Sequence, residues 1–167
     1  MGVRNWCIAC IHYRFILHVV RKEERGNSME INMTLDAPVE FLYHELIESA
    51  LADIRQQVGK KISWRDLPDY TYEKTWTTGK VAKMHIDSAV PGQKYGYTMT
   101  TSSQKFVVEY QLEKKDDTHA VLNYFEENYA KDTKTKANQG IGSFMFGWLR
   151  KHRFKKMARK MAEQYYK

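Results

Sequence analysis

The sequence predicts an α+β domain: one strand, one helix, a run of five antiparallel strands and a long C-terminal helix. Three observations predict it. Between residues 70 and 129 apolar side chains alternate with polar ones, the period of a half-buried strand, and turn residues separate the runs. Between 39 and 58 the apolar residues fall instead at 39, 42, 43, 46, 47, 50, 51, 54 and 58, the spacing of one buried helical face. Residues 140–166 return to helical spacing and tolerate Gly142 and Gly147 near the start.

The elements follow in order. Ile31, Met33 and Leu35 share one face of a first strand that opens at Met29. Asp36 then offers an N-cap and Pro38 a tolerated first-turn residue, so a helix starts here and runs to Val58, where Gly59 stops it. Residues 60–69 are irregular, with Ile62, Trp64 and Leu67 apolar and Pro68 near the end. Tyr70, Tyr72 and Trp76 alternate in the second strand, and Ala82, Met84, Ile86 and Val90 in the third, which Pro91-Gly92 turns. Tyr95, Tyr97 and Met99 share a face of the fourth strand, and Phe106, Val108, Tyr110 and Leu112 a face of the fifth. Lys114–Thr118 is a turn. The strand from Ala120 to Tyr129 has two apolar phases, Leu122/Tyr124 and Val121/Phe125. Residues 131–139 are polar and aperiodic, a loop.

A chain of 167 residues makes about one domain. At 43% hydrophobic and 28% charged it carries enough apolar material for a core, which excludes a disordered chain. Two cysteines exclude a disulfide scaffold, and three prolines with nine glycines exclude collagen-like classes. No run of eighteen apolar residues is present, so no spanning helix is expected, and the domain is read as cytoplasmic.

The first 28 residues are read as an extension outside the fold, with translation starting at Met29 and a single domain over 29–167. His12, Arg14 and His18 interrupt the apolar stretch from Trp6 to Val20 and spoil it as a signal-peptide core. Cys7 and Cys10 have redox-motif spacing, but six preceding residues cannot supply the strand such a motif needs. Cys7, Cys10, His12 and His18 are too crowded for a convincing zinc site. No metal or cofactor is expected.

The stretch EINMTLDAPVEFLYHELIESALADI, with AVPGQKYGY and EYQLEKKDDTHAVLNYFEE further on, resembles the START-like, helix-grip superfamily (SRPBCC, polyketide cyclase-like). Within it the chain resembles a small bacterial family without an assigned function. The resemblance covers residues 29–167. It implies a curved antiparallel sheet of about six strands wrapped around the terminal helix, with a cavity between them. Fold does not transfer activity, and no catalytic residue is carried over. The first helix is one long element here, where many relatives have two short ones.

The set expected to face that cavity is Tyr70, Tyr72, Trp76, Met84, Ile86, Tyr95, Tyr97, Met99, Phe106, Val108 and Tyr110, with Phe144 and Trp148 from the helix. Tyrosine pairs an apolar ring with a hydroxyl that needs a partner, and methionine adapts to irregular shapes. An apolar pocket with a few polar handles is what a ligand site looks like. Plain core filling is the competing reading, although filled cores favour Leu, Ile and Val. Of Glu126 and Glu127, one must face inward on a regular strand, and paired with His85 or Tyr97 it would serve acid–base chemistry. The simpler expectation is a glutamate at the sheet's end reaching solvent. His44 is expected on the solvent side of its helix. Gly140-Ile141-Gly142 has two glycines of a dinucleotide fingerprint without the third, so no nucleotide is expected.

Charge is segregated. Residues 150–167 hold eight Lys/Arg against one Glu, residues 1–28 five against two acids, and the body fourteen against seventeen. Arg150, Lys151, Arg153, Lys155, Lys156, Arg159 and Lys160 form a basic run, while Phe154, Met157, Ala158, Met161 and Tyr165 are spaced to pack on the sheet. The run reads as a solvated basic face countering the acidic body and the negative end of the helix dipole. Its sharper readings are an anionic membrane surface or a partner protein. Nucleic acid ranks low, because Phe154 alone supplies an aromatic among the charges.

The leading expectation is a domain that binds a small apolar or amphipathic ligand. The alternatives are a cyclase- or hydrolase-like enzyme in the same cavity and an interaction protein working through the basic helix.

Overall fold

The computed structural model describes residues 27–130 and 149–167. Asn27 and Ser28, the last two residues of the extension expected at 1–28, stand in the first strand, while its residues 1–26, the loop at 131–139 and the start of the terminal helix lie outside the described residues. So do Cys7, Cys10, His12, His18, the Gly140–Gly142 pair, Phe144 and Trp148.

β1 (Asn27–Leu35) leads into α1 (Val39–Val58), and then come β2 (Thr71–Thr75), β3 (Val81–Val90), β4 (Lys94–Thr100), β5 (Gln104–Lys114) and β6 (Ala120–Ala130). A second long helix, α2, is described over 149–162. The six strands form one curved antiparallel sheet in the order β1-β6-β5-β4-β3-β2. The first strand therefore lies at one edge and the second at the other, and the chain between them must cross the sheet. A helix of 20 residues is about 30 Å long, enough to pass over five inter-strand spacings of about 4.8 Å.

α1 buries Val39, Leu42, Tyr43, Ile47, Ala50 and Ile54 on the sheet. Its N-cap is Pro38, without a side-chain bond, which corrects the expectation that Asp36 caps it. The Leu42 N–H closes the first turn onto the Pro38 carbonyl at 3.1 Å. Gly59 ends the helix in the left-handed region (φ 71°), where a residue without Cβ is strain-free. Leu35, Leu42, Ile54, Leu67, Ile86 and Leu122 are the large side chains sealed deepest in the core.

Register settles the phase of β6. Leu122 stands between Met33 and Leu112, and Tyr124 between Ile31 and Tyr110, so the even-numbered residues face inward. A register shift between Ile86 and Ser88 puts Ala89 opposite Tyr95 and leaves Val90 exposed. Val90 was expected in phase with Met84 and Ile86, and the bulge is the reason it is not.

α2 lies against the inner face through Phe154, Ala158, Met161 and Ala162. The Phe154 ring is 4.0 Å from that of Tyr124 and 6.2 Å from that of Tyr110. Tyr165 meets Phe41 of α1 edge to face at 5.2 Å. Met157 departs from the expected stripe: it is 54% exposed, because its direction on the helix is rotated off the face centred on Phe154 and Ala158.

Candidate functional site

The inner face is built in rows. Tyr72, Met84, Met99, Phe106 and Asn128 form one, because each is paired with the next across adjacent strands. Ile86, Tyr97, Val108, Glu126 and Met29 form the next, and Ala89, Tyr95, Tyr110, Tyr124 and Ile31 the third. A period of two on every strand thus gathers four tyrosines, Tyr95, Tyr97, Tyr110 and Tyr124, into one patch. Neighbouring rings in it stand 5.1 to 6.0 Å apart.

Two inward carboxylates bracket this patch. Asp53 of α1 accepts from the Tyr72 hydroxyl at 2.6 Å and from the Lys74 ammonium at 2.7 Å, so both its oxygens are used. Glu126 accepts from the Tyr124 hydroxyl at 2.6 Å and pairs with Arg150 of α2. Its side chain is only 12% exposed, which corrects the expectation of a glutamate reaching solvent. Glu127 pairs across to Val107 and Ser28 on the opposite face.

Burial pushes the tyrosine hydroxyls upward from their ordinary pKa. For Tyr95, Tyr97, Tyr110 and Tyr124 desolvation is the leading cause, and the phenolate is further disfavoured by neighbouring tyrosines or by Asp53. For Tyr72 desolvation leads again, with the Asp53 hydrogen bond next. These hydroxyls stay neutral donors throughout the physiological range. Tyr95, Tyr97 and Tyr110 have no hydrogen-bond partner among the described residues, yet their oxygens are not sealed off. The Tyr43 hydroxyl and the Asn128 Oδ1 are both sealed and unpartnered. Such groups are rare in a finished core.

Of the residues expected at the cavity, Tyr72, Met84, Ile86, Tyr95 and Val108 are buried, and Tyr70, Tyr97, Met99, Phe106 and Tyr110 are half-buried. Trp76 is a correction. It falls past the end of β2 at the mouth of the β2–β3 turn, 36% exposed, with the Lys74 ammonium 5.8 Å from its ring. His85 is another. It sits on the outer face with Thr71 and the carboxylates of Asp69 and Asp87, away from Glu126. His44 is exposed, as expected. Among the described residues no group of His, Cys, Asp and Glu could hold a metal, and no helix is long and apolar enough to cross a membrane.

Asp53, Asn128 and the Arg150–Glu126 pair escaped the sequence reading. Asp53 left a signal: three residues after Ala50 and seven after Leu46, it falls inside the apolar stripe of α1. Asn128 and Tyr124 were hidden by the unresolved phase of β6, which also left open which of Glu126 and Glu127 faces inward.

A family model described as "Domain of unknown function (DUF3284)" matches residues 29–147. Solved structures share the fold at low identity. A Thalictrum flavum norcoclaurine synthase, a point mutant in complex with a transition state analogue, is 7% identical with a TM-score of 0.58, covering 88% of this chain and all of that one. Protein MLL2253 from Mesorhizobium loti is 15% identical with a TM-score of 0.55, over 83% of this chain and 98% of its own. Ara h 8.0201 is 14% identical with a TM-score of 0.51, over 83% and 96%. These likenesses carry the helix-grip fold. No curated protein matches the chain.

Proposed function

This chain belongs to the DUF3284 family, and we propose that it binds a small amphipathic ligand between the inner face of the sheet and its two helices, in the bacterial cytoplasm. One observation carries the reading: among the described residues the neutral hydroxyls of Tyr95, Tyr97 and Tyr110 have no partner and are not sealed off, on an inner face that a closed core would line with Leu, Ile or Val. Met84 and Met99 beside them suit an apolar body. The hydroxyls suit oxygen acceptors on it. The norcoclaurine synthase structure, a complex with a transition state analogue, is a precedent on the same fold.

Native mass spectrometry of the full chain, purified gently and then extracted with organic solvent, tests this. A defined extra mass that extracts as a small molecule, and is lost in Tyr97→Trp, which fills the space, is the expected result. An unliganded mass, together with no saturable one-to-one binding of a fluorescent apolar probe, would overturn it.

A second reading, a cyclase- or hydrolase-like enzyme in the same space, is favoured by the inward Glu126 at 2.6 Å from the Tyr124 hydroxyl. Tyr124 and Arg150 occupy both its oxygens, so it acts as a base only once one partner swings away. Conversion of the extracted compound by the native chain and not by Glu126→Gln supports it. Conversion by neither rejects it.

A further inference from the structure

α2 carries six exposed cations, Lys151, Arg153, Lys155, Lys156, Arg159 and Lys160, of which Arg153, Lys156, Arg159 and Lys160 fall on the side turned away from Phe154 and Ala158. None of them forms an ion pair among the described residues. Arg150, the seventh of the run, is already engaged by Glu126. Lys151/Lys155, Lys155/Arg159 and Lys156/Lys160 stand four residues apart, a spacing at which like charges repel on a helix and weaken it. The helix dipole welcomes cations only in the last turn, so it compensates Arg159 and Lys160 but not Arg153, Lys155 or Lys156.

The same side holds exposed apolar groups. Met157 is 54% exposed, flanked by Arg153 one turn before it and Lys160 one turn after it, and Tyr166 is 65% exposed just beyond the helix. Cations that solvate in headgroups around side chains that enter the acyl boundary are the chemistry of an interfacial helix. A nucleic-acid partner would use the charges and leave Met157 without a purpose.

We propose that the outward face of α2 docks on an anionic lipid surface, with Arg153, Lys156, Arg159 and Lys160 on the headgroups and Met157 and Tyr166 at the apolar boundary. The docking does not depend on the ligand reading, since its residues point away from the sheet.

Co-sedimentation of the full chain tests it, with vesicles of phosphatidylcholine alone and of phosphatidylcholine mixed with phosphatidylglycerol. The expected result is binding to the mixed vesicles only, weakened by salt. Charge reversal of Arg153, Lys156, Arg159 and Lys160 to Glu lowers it by at least about 100-fold, at about one order of magnitude or less per cation. Thermal melting confirms that this variant is folded. The milder Met157→Ser with Tyr166→Ser keeps all the charge and still weakens vesicle binding several-fold. Equal binding to both vesicle types, or no binding, overturns the proposal. So does retention by a single-stranded oligonucleotide that exceeds vesicle binding and ignores Met157→Ser.

Discussion

The Tyr72 hydroxyl donates a 2.6 Å hydrogen bond to Oδ2 of Asp53, tying the edge strand β2 to the helix that crosses the sheet. Lys74 holds the other oxygen at 2.7 Å. Tyr72→Phe removes one donor and leaves the carboxylate paired, so it lowers unfolding stability by about 1 kcal/mol. Asp53→Ala strands two donors and costs about 2 kcal/mol. In denaturant unfolding the Tyr72→Phe and Asp53→Asn losses couple by more than about 0.5 kcal/mol. Strict additivity would mean that the tie contributes nothing of its own.

Five inward tyrosines, Tyr72, Tyr95, Tyr97, Tyr110 and Tyr124, have hydroxyls raised by burial. Their neutral forms are favoured in the fold, whereas in the unfolded chain each ionises near pH 10. The unfolded state therefore binds fewer protons above pH 10, and stability falls as pH rises from there. Below pH 10 the contribution is fully present. Absorbance at 295 nm, followed with far-ultraviolet circular dichroism, is expected to show these tyrosines ionising together with unfolding. Their smooth ionisation in an intact fold would contradict the burial.

Gly96 and Ser88 face each other across β3 and β4 at the bulge. A Cβ added at Gly96 meets the Ser88 Oγ at 2.9 Å and the Val108 carbonyl oxygen at 3.4 Å. The Ser88 Oγ is sealed and has no partner. Gly96→Ala is thus expected to destabilise by about 1–2 kcal/mol through overpacking. Ser88→Ala alone is neutral or stabilising, because it removes an unsatisfied polar atom. The double variant recovers part of the Gly96→Ala loss in thermal melts, whereas full additivity would place the strain elsewhere.

The fold was legible where periodicity was clean. Five runs of period two and two of period 3.6 define most of the architecture, and Gly59 marks the end of α1 at φ 71°, where a residue without Cβ is free of strain. The phase of β6 was not legible, since both of its faces are apolar and only pairing with Met33 and Leu112 selects Leu122. The bulge between Ile86 and Ser88 carries no glycine or proline to announce it. Trp76 shares the parity of Tyr72 but falls past the last paired residue of β2, where alternation no longer specifies a face. Within the candidate site, Tyr72, Tyr95, Tyr97 and Tyr110 followed from alternation, and Tyr124 did not, because the phase of its strand was open. The Asp53–Tyr72 and Glu126–Arg150 pairs join residues distant in sequence and needed the packed helices to appear.

The strand order has a consequence for how the chain is made. β2 to β5 can zip as successive hairpins as they emerge, but β1 waits. Its partner is β6, with Asn27 opposite Asn128 and Leu35 opposite Ala120, so the pairing closes a loop of roughly a hundred residues, and the entropy of that closure falls late in folding. Until then the alternating Met29, Ile31, Met33 and Leu35 form an unprotected edge, open to any passing strand. Nascent chains stalled before residue 120 are therefore the species in which this protein is most exposed to aggregation, and synthesis through β6 is the step that removes the hazard.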